Sequence, residues 1–506
     1  MANRIVTNSV LNAAAGMSLL LFGFACSIVT ARLLGPEANG IIAFSLWIAV
    51  TSSLLAELGT GVTLLRILPK LKGDGFDAEA RRGFAARMLR PVSVATLVFL
   101  AFYLLFFAEA DEHHWASTSP SVVHVTAILI VIQSIGSFSK NYLIGEQRVG
   151  TFFKMSTVAG LLQFSGVIAG AVFFGIPGAV AGYVLGFVVQ FLYALGILFR
   201  RGNDCGISNR YLVNSSLLLS IQFLIDSVFL NRIELLFIQQ YNGVEVVGYY
   251  AAALSLANLA LQLPVQLTGS LLPYYSETLQ SQGGGRLAVS VFESVARNLA
   301  YITMPLSFGL AVIAPRLVTT VFGEAFEPAG SILTVLALGA PIFVFCLLGT
   351  QYMFSLDFVR QRLVVGIVGA ALMIAGGFFL VPLLGGEGAA IVRFIVFLAM
   401  TILIFRKIEF DGSMIPMFLS LGRVAVAAAS CAGSAYVVLE LVSGLGGLIL
   451  AIIAGAITYL IALRVVRAIA REDLESFEKI ARRLPRPALV LLRFLVAKPG
   501  SQDERG

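Results

Sequence analysis

Apolar runs of about twenty residues, each ended by a short polar break, recur along the whole of this 506-residue chain. A helix of that length spans the hydrocarbon core of a bilayer, where only helices or closed barrels can satisfy their backbone. The runs are apolar all round instead of along one stripe, which is the pattern of a membrane helix and not of a surface helix. Charged residues make up 12% of the chain and hydrophobic ones 58%, against about 25% charged in soluble domains. No stretch is left for a sizeable soluble domain. The expected fold is therefore all-α and polytopic. Fourteen spans fall near 7–31, 41–68, 91–108, 123–144, 151–174, 178–199, 211–238, 248–273, 288–314, 331–356, 361–381, 388–406, 415–440 and 444–463.

Basic residues test that count. With a cytoplasmic N-terminus, the inside segments hold 27 of the 35 Lys and Arg residues, among them Lys70, Lys72, Arg81, Arg82, Arg360, Arg362, Arg406 and Lys407. The outside loops hold only Arg32 and Arg316, and six more lie within spans. Cytoplasmic loops carry the Lys/Arg excess, and one missed span would invert every later loop. The pattern thus predicts both termini in the cytoplasm of an inner-membrane protein. The first run follows a lone Arg4 and is too long for the core of a signal peptide. The net charge of +7 follows from this asymmetry and a basic tail, 464–506, that could meet anionic lipid. It calls for no nucleic acid. The stretch 487–498 reads equally as an interfacial helix or as solvated tail.

Four scattered cysteines give no disulfide framework or metal spacing. His113 and His114 read as a solvated outside loop, and Trp115 as an interfacial indole. Gly166–Gly170 and Gly178–Gly182–Gly186 have the small-residue spacing that lets membrane helices approach closely.

The chain is duplicated. GPEANGIIA (35–43) follows the first span and GVEVVGYYA (243–251) the seventh; both read G-x-E-x-x-G-x-x-A. GIPGA (175–179) follows the fifth span and GGEGA (385–389) the eleventh; both read G-x-x-G-A. A six-helix repeat preserves orientation, and parallel repeats with a site between the halves characterise transporters. The division expected is a lobe at 1–200, a lobe at 211–407, two further helices at 415–463 and the tail.

The segments ARLLGPEANGIIAF (31–44), VGYYAAALSL (247–256) and LVTTVFGEAFEPAG (317–330) resemble the polysaccharide transporter family. These are flippases for lipid-linked sugar units within the multidrug/oligosaccharidyl-lipid/polysaccharide exporter superfamily. The resemblance implies a two-lobed bundle whose central cavity is lined by the first, second, seventh and eighth helices. It also implies a monomer.

Polar residues gather on those spans. Ser255, Asn258, Gln262 and Gln266 share one face of the eighth. The seventh carries Gln222, Asp226, Asn231, Arg232 and Glu234; the second carries Ser53 and Glu57; the first, Asn8 and Asn12. Charges at that depth face a cavity or a partner. Arg232, Arg393 and Arg297, with Gln222, Asn258, Gln262 and Gln266, are the substrate-binding candidates; the plain alternatives are the membrane interface for Arg232 and Arg393, a structural role for Arg297, and hydrogen bonding that only packs helices for the stripe of the eighth span. Glu57, Asp226 and Glu234 are the ion-coupling candidates, with an interhelical salt bridge as the plain alternative. The eleventh span shows no charge in its interior.

No Walker A sequence, zinc motif, GxSxG elbow or dinucleotide loop occurs, so an enzyme or a cofactor is not expected. Energy would come from an ion gradient (H+ or Na+), the membrane potential or the substrate gradient. The leading expectation is a flippase for a polyprenyl-(pyro)phosphate-linked oligosaccharide, with membrane lipids and other polysaccharide-assembly proteins as further partners. A multidrug cation antiporter of the same superfamily is the alternative, and a peptidoglycan-precursor flippase, which shares the fold and chemistry, stays open beside the leading expectation. A membrane glycan polymerase or ligase fits poorly, because no outside loop is long enough to hold a reaction.

Overall fold

The computed structural model describes residues 2–57, 59–106, 115–199, 205–268, 271–281, 289–408, 410, 412–470 and 473. Its elements are α1 (Ala2–Ala56), α2 (Thr60–Gly73), α3 (Ala78–Phe106), α4 (Ser121–Gly145), α5 (Val149–Leu198) and α6 (Asn209–Leu224). A π-helical turn (Ile225–Leu230) then leads to α7 (Glu234–Asn242), α8 (Val244–Thr268), α9 (Leu271–Ser281) and α10 (Val289–Phe322). The remainder is α11 (Ala329–Ser355), α12 (Val359–Phe379), α13 (Val381–Lys407), α14 (Ile415–Leu441) and α15 (Gly444–Val465).

Eleven of these helices are long and apolar enough to cross a membrane. Two of them, α1 and α5, bend at a glycine and supply a second crossing each, and the α6–π–α7 stretch occupies the seventh expected span. The all-α polytopic expectation of fourteen spans is thus met. His113, His114 and the 487–498 segment lie outside the described residues, as do the side chains of Asn8 and Asn12. Trp115, expected at the outer interface, packs against protein. It is 3% exposed, with its ring 5.6 Å from that of Phe44.

The duplication is visible in the backbone. Gly35 (φ 84°, ψ −178°) and Gly243 (φ 85°, ψ 173°) hold nearly the same positive-φ conformation at the starts of the two G-x-E-x-x-G segments. Gly175 (φ 61°, ψ −138°) and Gly385 (φ 55°, ψ −130°) do the same in G-x-x-G-A. A side chain rarely tolerates such φ values, so each repeat reverses the chain at the same glycine. Past Gly175, α5 folds back on itself. A methyl at Gly178 would strike the Gly170 carbonyl, and one at Gly186 would stand 2.8 Å from Gln163 Cβ. The small-residue spacing is therefore helix packing, as expected. After Gly385 the same reversal sets Gly388 against the Leu380 carbonyl and Gly376 against Val392.

The chain forms two compact units. The first comprises 1–259, 321–332 and 358–400; the second comprises 260–320, 333–357 and 401–506. In the first, a core of Leu64, Leu68, Phe84, Leu89, Phe138 and Leu143 binds α2, α3 and α4 together. Outside the spans, Arg81 Nε donates to Glu146 Oε1 at 2.7 Å. That hydrogen bond raises the pKa of the guanidinium and ties α3 to the end of α4. In the second unit, Leu439, Leu448 and Ala451 of α14 and α15 pack on Ile313 of α10.

Candidate functional site

The second span, expected as one helix over 41–68, is broken. The helix that follows Gly35 ends at Ala56, and α2 starts at Thr60 after Gly59 in the left-handed region. Glu57 sits in the break, 6% exposed. Its carboxylate accepts from Ser137 Oγ at 2.6 Å and from Asn141 Nδ2 at 3.3 Å, both on α4. These hydrogen-bond partners are neutral and no described residue forms an ion pair with it, although the charge of Lys140, also on α4, acts on the carboxylate. Gln133 Oε1 and Ser134 Oγ, also on α4, are buried without a hydrogen-bond partner among the described residues. Buried polar atoms normally find one, so this part of α4 is polar where its neighbours are apolar.

The seventh span is interrupted too. Its π-helical turn and the turn at 231–233 set Asp226, Arg232 and Glu234 in distinct surroundings. Arg362 Nη2 of α12 donates to Asp226 Oδ1 at 3.1 Å, and Gln222 Nε2 donates to Oδ2 at 2.8 Å. Arg393 Nη1 of α13 donates to Glu234 Oε1 at 2.7 Å and to the Asn231 carbonyl at 3.1 Å. The Tyr250 hydroxyl donates to the same Glu234 oxygen at 2.9 Å. The Arg393 guanidinium also lies 5.4 Å from the Phe397 ring centroid, within cation–π range. Both acids are therefore held by an arginine of the same unit.

Arg232 is different. It is exposed, it forms no ion pair among the described residues, and it stands in the field of Arg393 and Glu234. Two arginines against one carboxylate leave this cluster with one net positive charge.

On α8, Asn258 and Gln266 are exposed and Gln262 is half-buried. Arg297 lies in the second unit. Its Nη2 donates to Asp473 Oδ1 at 3.0 Å and its Nη1 to Glu293 Oε1 at 2.9 Å. The structure thus brings Asp226, Gln222, Arg232, Glu234 and Arg393 to one stretch of the seventh span, places Glu57 in the break of the second, and gives Arg297 a separate ion-pair network. Sequence reasoning misses Ser137, Asn141, Tyr250 and Arg362. In sequence, Arg362 belongs with the basic loop, and the eleventh span reads as free of interior charge. In the fold it is the fourth residue of α12 and only 4% exposed.

These features define a multi-pass helical membrane protein built on an internal repeat, with broken spans and paired charges at membrane depth. The model of the family described as "Polysaccharide biosynthesis protein" matches residues 29–331, and the chain belongs to that family. Stage V sporulation protein B of Bacillus subtilis (strain 168) is 25% identical over 191 residues, 37% of this chain. That match spans 36% of the curated relative's length. Among solved structures, the lipid II flippase MurJ in an inward closed conformation is similar with a TM-score of 0.62, 12% identity, and coverage of 90% of this chain and 98% of that one. An inward-facing MATE family multidrug resistance transporter of the MOP superfamily gives 0.56, 16% identity, and 79% and 96% coverage. The fold is shared with both.

Proposed function

We propose that this chain is a flippase that carries a polyprenyl-(pyro)phosphate-linked oligosaccharide from the cytoplasmic to the outer leaflet of a bacterial inner membrane, for assembly of a surface polysaccharide. Arg232 carries the reading. An accessible guanidinium without a carboxylate of its own, beside a second arginine, suits a phosphate, whose oxygens take its paired donors. The Asn258, Gln262 and Gln266 face of α8 suits sugar hydroxyls. Family membership and the shared fold with a lipid II flippase support the same class of cargo. The basic ends of the spans are the cytoplasmic ones in this reading.

Glu57 is the coupling acid. Asp226 and Glu234 already hold arginines, whereas Glu57 has neutral donors on α4 and can take up and release a monovalent cation, a proton most simply. The two arginine-held acids also weigh against an organic-cation antiporter, since a cationic substrate would have to displace a buried guanidinium.

Reconstitution tests the reading. In vesicles holding a fluorescent polyprenyl-pyrophosphate oligosaccharide, the chain should move label between leaflets, as read by quenching with an impermeant reductant. Arg232→Gln should slow that movement by about tenfold or more, the scale of one lost charge-assisted contact. Movement at the full rate by correctly inserted Arg232→Gln would remove the phosphate role. Glu57→Gln should move label at a rate no longer responsive to an imposed pH gradient.

A further inference from the structure

The two G-x-E-x-x-G segments, far apart in sequence, pack against each other, and they do so reciprocally. A methyl on Gly40 would overlap the Val244 carbonyl and stand 2.9 Å from Gly248 N. A methyl on Gly248 would overlap the Pro36 carbonyl and stand 3.0 Å from Gly40 N. Val244 occupies in the second copy the place of Pro36 in the first. Each copy therefore offers the same glycine to the same carbonyl of the other, across a local two-fold axis. One side chain departs from the symmetry. Asn39 Nδ2 donates to the Gly248 carbonyl at 3.2 Å, while its Oδ1 accepts from Thr30 Oγ1 at 3.3 Å. The equivalent of Asn39 is Val247, which cannot return the bond. Thr30 and Asn39 are 0% and 3% exposed.

We propose that this reciprocal contact is the outer gate of the transporter and that Gly40 and Gly248 are its positioning residues, allowing the two repeats to close backbone against backbone. This rests on the transporter reading above. Transporters of this design expose their site by rocking one repeat against the other, so a contact between equivalent points of the two repeats has to part and re-form in each cycle. A backbone contact suits that role. It associates through close approach and weak Cα–H···O contacts and separates without any side chain leaving a packed hole. The glycine contacts inside α5 differ. They join the arms of one hairpin, tied by the Gly175 turn, and have no reason to open. Glu37 and Glu245, exposed in the first turn of their helices, keep the rim of the gate wet and favour the N-termini that carry them.

The test reads the gate and not the cargo. In intact cells expressing the full chain with Asn231→Cys as reporter, a membrane-impermeant maleimide is added from outside. Asn231 is exposed on the turn of the seventh span, and the four native cysteines are buried, which keeps background low. The reporter precedes Gly243 by about three helical turns, so it lies on the cytoplasmic side of the closed contact. The reporter alone should label slowly. Adding Gly40→Ala or Gly248→Ala should raise the rate about tenfold by holding the gate ajar, and the two together should do no more than either, because one closure is lost once. Asn39→Ala adds no bulk and should give a smaller rise in the same direction, which covers the case of an alanine variant that fails to insert. Unchanged labelling in the inserted glycine variants, or in Asn39→Ala if neither inserts, overturns the proposal. Since no cargo enters the measurement, a mistaken cargo would leave its result standing.

Discussion

Arg393 and Glu234 are a largely buried pair whose partners depend on each other. Taking two charges out of water is costly, and removing one partner leaves the other unpaired, at about 3–5 kcal/mol. Arg393→Gln should therefore lower the melting temperature of the purified protein clearly, and adding Glu234→Gln should restore most of the loss. A double variant as unstable as the single would show that the pair is not what holds α13 to the seventh span. Arg232→Gln should leave the melting temperature nearly unchanged, because its side chain is exposed and forms no ion pair among the described residues. Composition makes Arg232, Arg393, Asp226 and Glu234 stand out, since charge at membrane depth is rare. It does not show which acid takes which arginine, because pairing is set by helices far apart in sequence. Arg362 escapes sequence reasoning for a related reason. Its neighbour Arg360 and the nearby loop make it look like part of the basic edge, and only the packing of α12 shows that it is buried.

At the scale of elements, the breaks in the second and seventh spans matter more than the spans. Hydropathy does not reveal them, because the flanking residues (Leu54, Leu55 and Ala56 before the first break, Val62 and Leu64 after it) stay apolar. The one local signal is Gly59, whose φ of 74° suits glycine and whose added methyl would overlap Ser220 Oγ. Gly59→Ala should destabilise by about 1–3 kcal/mol, from backbone strain and the clash together. A thermal melt matching that of the unmodified protein would mean that the break tolerates a side chain. Glu57 stays buried because the break frees it to reach Ser137 and Asn141 on α4. The reversals at Gly175 and Gly385 are legible in sequence, since both copies of G-x-x-G-A end one span and start the next.

At the scale of the whole molecule, span count, helical class and duplication are all legible, because hydrophobic length, lysine and arginine bias and a repeated glycine motif are local properties of the chain. What the two motifs do to each other is not legible, since two matching segments in sequence carry no sign that they touch. Cells lacking this chain reveal its cargo, through their surface polysaccharide measured together with the pool of lipid-linked oligosaccharide. A flippase for lipid-linked oligosaccharide requires loss of the polymer and accumulation of lipid-linked units on the cytoplasmic side, with the sugars of those units identifying the cargo. Unchanged polymer and an unchanged lipid-linked pool, with altered sensitivity to cationic drugs, would contradict it.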